Sequence, residues 1–123
     1  NCYIRPHTAI GDRCHIGNAV EVKNSIIMND SKIPHLNYVG DSVIGEGCNL
    51  GAGTKVANLR FDKQEITVAG RGTKRRKLGA VIGDNVETGI NVSINAGSVI
   101  GNNTWIGPAA TVSGIISPES RIF

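Results

Sequence analysis

Residues 82–112, IGDNVETGINVSINAGSVIGNNTWIGPAATV, decide the fold. An aliphatic or small residue returns every six positions, at Ile82, Thr88, Ile94, Ile100, Ile106 and Val112. Four residues after each start comes a second such residue: Val86, Val92, Ser98, Thr104 and Ala110. Three after each start stand Asn85, Asn91, Gly97, Asn103 and Ala109, mostly residues that tolerate a left-handed backbone. A helix repeats at about 3.6 residues and a half-buried strand at about 2. A sustained period of six is neither; it marks a parallel β-helix in which each hexad makes one short strand and one corner.

The same rhythm runs upstream through Ile4, Ile10, Ile16 and Val22. It shortens to five at Ile27, continues through Ile33 and Val39, shortens again at Ile44, and continues through Leu50 and Val56. Ten starts precede the break and six follow it, which predicts about five triangular coils of three strands each. From Ala57 to Val81 the rhythm lapses in one long inserted loop, ANLRFDKQEITVAGRGTKRRKLGAV. Loops of this length in a compact domain are usually functional or disordered. Within it Glu65 to Ala69 alternates and Gly70 and Gly72 follow, the pattern of a small hairpin, and Lys74-Arg75-Arg76-Lys77 is the one dense charge run. Residues 114–123 read as a cap on the last coil, where bare strand edges need covering.

Composition agrees. The 123 residues make one domain, 1–123, with 40% apolar residues, 4% aromatics and 16 glycines; stacked small aliphatics suit a solenoid better than a conventional aromatic core. A net charge of +3 does not by itself point to nucleic acid, and the basic run has no aromatic platform. No run approaches the ~18 apolar residues of a membrane span, and no secretory signal opens the chain. Cys2, Cys14 and Cys48 fall in the inward slot four after an actual or implied start, which reads as core packing. Their odd number and the lack of C-x-x-C spacing argue against a disulfide scaffold or a zinc site and fit a reducing cytoplasm. The chain opens without Met and in mid-pattern, so a piece of a longer protein with an upstream domain is expected.

The coil also works as a ruler for side chains. Arg5 and Lys23 follow the starts Ile4 and Val22, 18 residues apart, so they stack on one outer face about 4.8 Å from each other. Stacked cations repel unless an anion sits beside them, and a bound phosphate is the natural candidate; two solvated charges are the alternative. His35 points outward near a corner, Tyr38 follows at the next corner, and Asn49 ends the hexad begun by Ile44. These groups gather with the two cations and the insertion in the middle coils, whereas His7 and His15 read as plain surface residues. Zinc held by the histidines between subunits, as in carbonic anhydrases built on such a coil, needs three convergent nitrogens, which these positions do not suggest. No P-loop, paired-carboxylate or Ser-His-Asp pattern is present.

The blocks GNAVEVKNS (17–25), PHLNYVGDSVIGEGCNLGAGT (34–54) and ANLRFD (57–62) resemble the acetyltransferase half of bifunctional N-acetylglucosamine-1-phosphate uridylyltransferase/glucosamine-1-phosphate acetyltransferases. The insertion and the NLRFD block are most similar to the archaeal sugar-1-phosphate nucleotidylyltransferase/acetyltransferases. The resemblance implies a left-handed β-helix, a homotrimer with active sites between subunits, and a nucleotidylyltransferase domain upstream. It also implies acetyl-CoA as co-substrate, no required metal, no nucleic-acid or membrane partner, and a cytoplasmic enzyme. The implied reaction is N-acetylation of glucosamine 1-phosphate on the route to UDP-N-acetylglucosamine. By position, Arg5 and Lys23 match the family's sugar-phosphate cations, His35 its catalytic base, and Tyr38 and Asn49 its sugar-site residues. Ala52, Asn58, Leu59, Ile90 and Pro108 match positions that line the acetyl-CoA site. Leu59 stands where bacterial members have Tyr, Ile90 where they have Ser, Pro108 where they have Ala, and their Arg-bearing C-terminal tail is absent. An ammonium has no lone pair, so the sugar amine must lose a proton before it attacks a thioester. A neutral imidazole, with a reference pKa of about 6.5, suits that task. The alternative is a non-catalytic β-helix that trimerises or regulates a sugar-phosphate nucleotidylyltransferase.

Overall fold

The computed structural model describes all 123 residues. It is a left-handed parallel β-helix with no helical segment, built from three six-stranded parallel sheets that form the faces of a triangular prism. Face A stacks β1 (Tyr3–Ile4), β4 (Glu21–Lys23), β7 (Tyr38–Gly40), β10 (Lys55–Val56), β15 (Ser93–Ile94) and β18 (Thr111–Val112). Face B stacks β2 (Ala9–Ile10), β5 (Ile26–Ile27), β8 (Val43–Ile44), β13 (Val81–Ile82), β16 (Val99–Ile100) and β19 (Ile115–Ile116). Face C stacks β3 (His15–Asn18), β6 (Lys32–His35), β9 (Asn49–Leu50), β14 (Glu87–Thr88), β17 (Trp105–Ile106) and β20 (Arg121–Ile122).

There are six coils, not five. Residues 114–123 are not a separate cap: Ile115–Ile116 pair with Val99–Ile100 and Arg121–Ile122 with Trp105–Ile106, closing a sixth coil. The count fell short because the step from Val112 to Ile116 shrinks to four residues, and Ile116 and Ile122 act as two further starts.

The hexad rule holds inside the prism. Starts from Val22 to Val112 are buried, as are Val20, Val86 and Val92 in the second slot. In that slot Ser31 is satisfied by backbone, its Oγ donating to Gly45 O at 2.7 Å and accepting from Cys48 N at 3.0 Å, and Thr54 pairs with the Thr88 hydroxyl at 2.7 Å, whereas Thr8 Oγ1 on the first coil has no partner. The first coil is looser, with Ile4 and Ile10 exposed. For the same reason the expectation for cysteine holds only in part. Cys48 is buried, Cys14 half-buried against the core, and Cys2, on the uncovered first coil, exposed. Burial pushes the Cys48 thiol up, which suits packing rather than nucleophilic chemistry.

The corners carry the left-handed residues: Asn85, Asn91 and Asn103 have φ of 55°, 55° and 59°, and Gly97 has 81°. Leu36, beside His35, has φ of 55°. Such strain often flags a functional site, but here nearly every corner carries it, so it belongs to the architecture.

The insertion occupies residues 57–80, since Val81 already belongs to β13. It contains the expected hairpin, β11 (Thr67–Val68) antiparallel to β12 (Arg71–Gly72), turning at Ala69 and Gly70 with φ of 51° and 77°. Ile66 is buried and anchors the insertion over Gly97, where a Cβ would come within 2.6 Å of Thr67 O and 3.0 Å of Ile66.

Outward side chains differ sharply between faces. In register, face B shows Ala9, Ile26, Val43, Val81, Val99 and Ile115, an unbroken aliphatic stripe. Face A shows Tyr3, Glu21, Tyr38, Lys55, Ser93 and Thr111. Face C shows His15, Lys32, Asn49, Glu87, Trp105 and Arg121.

Candidate active site on two edges of face A

Arg5 and Lys23 do stack, because Ile4 pairs with Val22 and each cation follows its partner. Each nevertheless has a carboxylate already. Arg5 Nη1 donates to Glu21 Oε2 at 2.9 Å, and its guanidinium lies 5.9 Å from the Tyr3 ring centroid. The Glu21 hydrogen bond raises the Arg5 pKa, against a smaller opposing effect of burial. Lys23 Nζ reaches Asp41 Oδ1 at 3.2 Å and Oδ2 at 3.0 Å.

Asp41 is the hub of this edge. Asn24 Nδ2 donates to its Oδ1 at 2.8 Å and Asn58 Nδ2 to its Oδ2 at 2.7 Å. Burial alone would push the Asp41 carboxyl up; hydrogen bonds from Asn24, Lys23 and Asn58, with the Lys23 charge, outweigh it and hold the carboxyl below its ordinary value. Asn58 Nδ2 also donates to the Tyr38 hydroxyl at 3.1 Å, which leaves the phenolic hydrogen free to donate elsewhere. Tyr38 lies within β7 rather than at a corner, and its Cα pairs with Glu21 and Lys55. Lys23, Tyr38 and Asn58 therefore form one network with Asp41, and Arg5 joins its neighbour Glu21.

His35 stands on the other edge of face A, at the corner between faces C and A. A ladder of corner hydrogen bonds fixes its column: Leu36 N donates to Asn18 O at 3.1 Å, Gly53 N to His35 O at 3.0 Å, Asn91 N to Ala52 O at 2.8 Å, and Ala109 N to Ile90 O at 2.9 Å. His35, Ala52, Ile90 and Pro108 thus occupy the same corner position in four successive coils. His35, Ile90 and Pro108 are exposed and Ala52 is half-buried. Asn37 locks the His35 corner to the next coil: its Oδ1 accepts from His35 N at 3.0 Å and its Nδ2 donates to Gly51 O at 2.9 Å.

Other candidates lie apart. Asn49 pairs with Lys32, three residues short of His35 along the face C strand. Asn58 and Leu59 begin the insertion on the far edge, where Leu59, Phe61, Thr67, Asn95 and Ser113 are among the residues lining an open cavity of about 520 Å3. Arg75, from the basic run, lines a groove of about 250 Å3 with His7, Asn24 and Asp41. No three His, Cys, Asp or Glu side chains gather in a way that could hold a metal. No helix is long and apolar enough to cross a membrane.

Glu21, Asn24, Asn37 and Asp41 escaped the sequence reading. Asp41 follows Gly40 just as Asp12 follows Gly11 and Asp84 follows Gly83, so it looked like one more corner residue. Its offset of 18 from Lys23 and 17 from Asn24 and Asn58, one coil each way, was the available signal.

Residues 1–99 match the family model described as the GMPPB C-terminal domain. The chain belongs to that family. Among full-length proteins, this family member is 51% identical over 98% of its length to the bifunctional protein GlmU of Methanococcus vannielii, covering 30% of that protein. It is 55% identical over 92% of its length to a bifunctional sugar-1-phosphate nucleotidylyltransferase/acetyltransferase of Sulfurisphaera tokodaii, covering 29% of it. The chain thus spans about 30% of the curated relatives it matches. Its fold is shared with PerB from Caulobacter crescentus in complex with CoA and GDP-perosamine (TM-score 0.77, 18% identity, 95% of this chain and 48% of that one). It is shared equally with the acetyltransferase domain of PglB from Neisseria gonorrhoeae in complex with acetyl coenzyme A (TM-score 0.77, 12% identity, 98% and 50%).

Proposed function

We propose that this chain is the acetyltransferase part of a longer bifunctional enzyme, acetylating the 2-amino group of glucosamine 1-phosphate with acetyl-CoA as a cytoplasmic homotrimer. The observation that carries this reading is the continuous column His35, Ala52, Ile90, Pro108 on one edge of face A, with the Lys23–Asp41–Asn58–Tyr38 network on its other edge. The column offers a proton acceptor at one end and an apolar edge for an extended thioester; the network offers the Lys23 cation and the Tyr38 hydroxyl for a sugar phosphate. The bifunctional relatives, and a shared fold with proteins crystallised with CoA or acetyl coenzyme A, support it.

In the reaction, His35 takes a proton from the sugar amine as its nitrogen bonds to the thioester carbonyl carbon. The C–S bond then breaks, the thiolate recovers a proton, and free CoA leaves with an N-acetylated sugar phosphate. No acyl-enzyme is needed, in keeping with a buried Cys48. Arg5 and Lys23 hold the phosphate, and Tyr38 and Asn49 orient the sugar. Among the acetyl-CoA candidates, Ala52, Ile90 and Pro108 lie on one edge of face A while Asn58 and Leu59 lie on the other. A second copy is needed to bring both edges to one ligand, and the aliphatic stripe of face B gives copies a surface on which to pack.

One observation favours the non-catalytic alternative: Arg5 and Lys23 are both already paired with carboxylates. Incubation with acetyl-CoA and a set of amino-sugar 1-phosphates separates the readings. Thiol release that requires a sugar 2-amino group supports the enzyme; none with any acceptor supports a structural role.

A further inference from the structure

The two ion pairs on face A are not equivalent. Arg5 and Glu21 are similarly exposed, at 37% and 38% of their side chains, so Glu21 is free to swing aside when an anion arrives. Lys23 is 23% exposed, but Asp41 only 5%. An incoming phosphate can therefore reach the ammonium but not the carboxylate that holds it. The ammonium carries three donors, and Asp41 does not exhaust them. Holding a lysine in place removes rotamer freedom that would otherwise be lost on binding.

Asp41 also ties down the insertion. Its carboxylate takes the side chain of Asn58 at the insertion's start, and its carbonyl accepts Gly79 N at 2.8 Å at the insertion's end. Leu78 N donates to Asn58 O at 3.1 Å, closing the root of the loop. Asp41 thus joins Lys23 and Asn24 of the second coil to the insertion in the fourth, through its carboxylate at the Asn58 end and its backbone carbonyl at the Gly79 end.

We infer that Asp41 is a positioning residue: it presents Lys23 to the sugar phosphate and couples that lysine, through Asn58, to Tyr38 and the insertion. This inference rests on the sugar-phosphate reading of the site, but not on catalysis. An asparagine has the same shape but no charge and only one accepting oxygen, so Asp41→Asn must turn a donor toward Asn24 or Asn58 and leaves Lys23 one neutral acceptor in place of two charged ones.

The test measures glucosamine 1-phosphate binding by calorimetry to the parent, Asp41→Asn, Lys23→Met and the double variant, with inorganic phosphate as a second probe and thermal melting to establish folding. Loss of one hydrogen bond to a charged group is expected to weaken Kd roughly tenfold or more in Asp41→Asn. The double variant is expected to bind no worse than Lys23→Met alone, because Asp41 acts through the lysine. In turnover, the KM for sugar phosphate should rise far more than kcat falls. A folded Asp41→Asn with unchanged Kd, or effects that simply add in the double variant, would overturn the inference, as would a parent that binds neither probe. A parent that binds the sugar phosphate but transfers no acetyl group removes the enzymatic reading and leaves this test intact. If Asp41→Asn does not fold, Asn58→Ala takes its place. It loosens the same carboxylate from the other side and must weaken sugar-phosphate binding; an effect confined to acetyl-CoA overturns the proposal.

Discussion

Lys23 Nζ lies 3.0 Å from Asp41 Oδ2, bridging two coils of face A, and this pair shares its carboxylate with Asn58, the second residue of the insertion. The cation proposed to meet a sugar phosphate is thereby built into the same network as the loop that interrupts the coil.

Removing the cations separates recognition from chemistry. Lys23→Met or Arg5→Leu should lower kcat/KM for glucosamine 1-phosphate roughly ten- to a hundredfold, the loss expected when a charged hydrogen bond to phosphate goes. Steady-state kinetics should show the change in the sugar-phosphate KM, with the acetyl-CoA KM within a few-fold of the parent.

The same carboxylate makes stability depend on acid. The Asp41 carboxyl is held below its ordinary value in the fold, so the unfolded chain binds this proton more readily. Its contribution is complete above the ordinary aspartate value of about 3.9 and is lost as pH falls through the depressed native pKa. Urea melts at pH 7 and at descending pH below 4 should show a decline that is shallower in Asp41→Asn. Asp30 and Asp62, also lowered by their arginine partners, remain in both proteins and set the residual slope.

Lys74, Arg75, Arg76 and Lys77 have no carboxylate within ion-pair distance. Replacing all four with Gln should raise the acetyl-CoA KM about tenfold and make it less sensitive to salt, since phosphate contacts are screened. An unchanged acetyl-CoA KM would remove the insertion from the CoA site.

Face B predicts assembly. Val81→Lys or Ile115→Lys, each at a position about half exposed in the centre and at the end of the aliphatic stripe, should turn the proposed trimer into monomers without unfolding the coil. Sedimentation velocity reads the change in mass, and activity should fall with it because each chain holds the two halves of the site on separate edges.

The coil was legible because its cause is local: one inward side chain in every hexad start leaves a mark a reader can count. The hairpin at Ala69 and Gly70 was legible for the same reason. What escaped depends on alignment between coils. The sixth coil was hidden by the four-residue step from Val112 to Ile116, and Tyr38, directly before the start Val39, lies in the strand just as Lys55 does before Val56 and Val81 before Ile82. The stacking of Arg5 on Lys23 followed from their 18-residue spacing, but their separate bonds to Glu21 and Asp41 depend on side-chain reach. Asp41 itself shares its Gly-Asp setting with Asp12 and Asp84, and only its burial and its three donors distinguish it. Leu59 went to the far edge because the insertion leaves the prism at the face A–B corner, away from the His35 column.

The central claim is that His35 accepts the proton of a sugar amine as acetyl transfer begins. The most direct measurement is the rate of thiol release from acetyl-CoA with glucosamine 1-phosphate in the parent and in His35→Ala, with folding and sugar-phosphate binding checked in both. Loss of general-base catalysis is expected to lower kcat by roughly 10²- to 10⁴-fold while the Kd for glucosamine 1-phosphate stays within a few-fold of the parent. A His35→Ala protein that turns over at the parental rate would contradict the account.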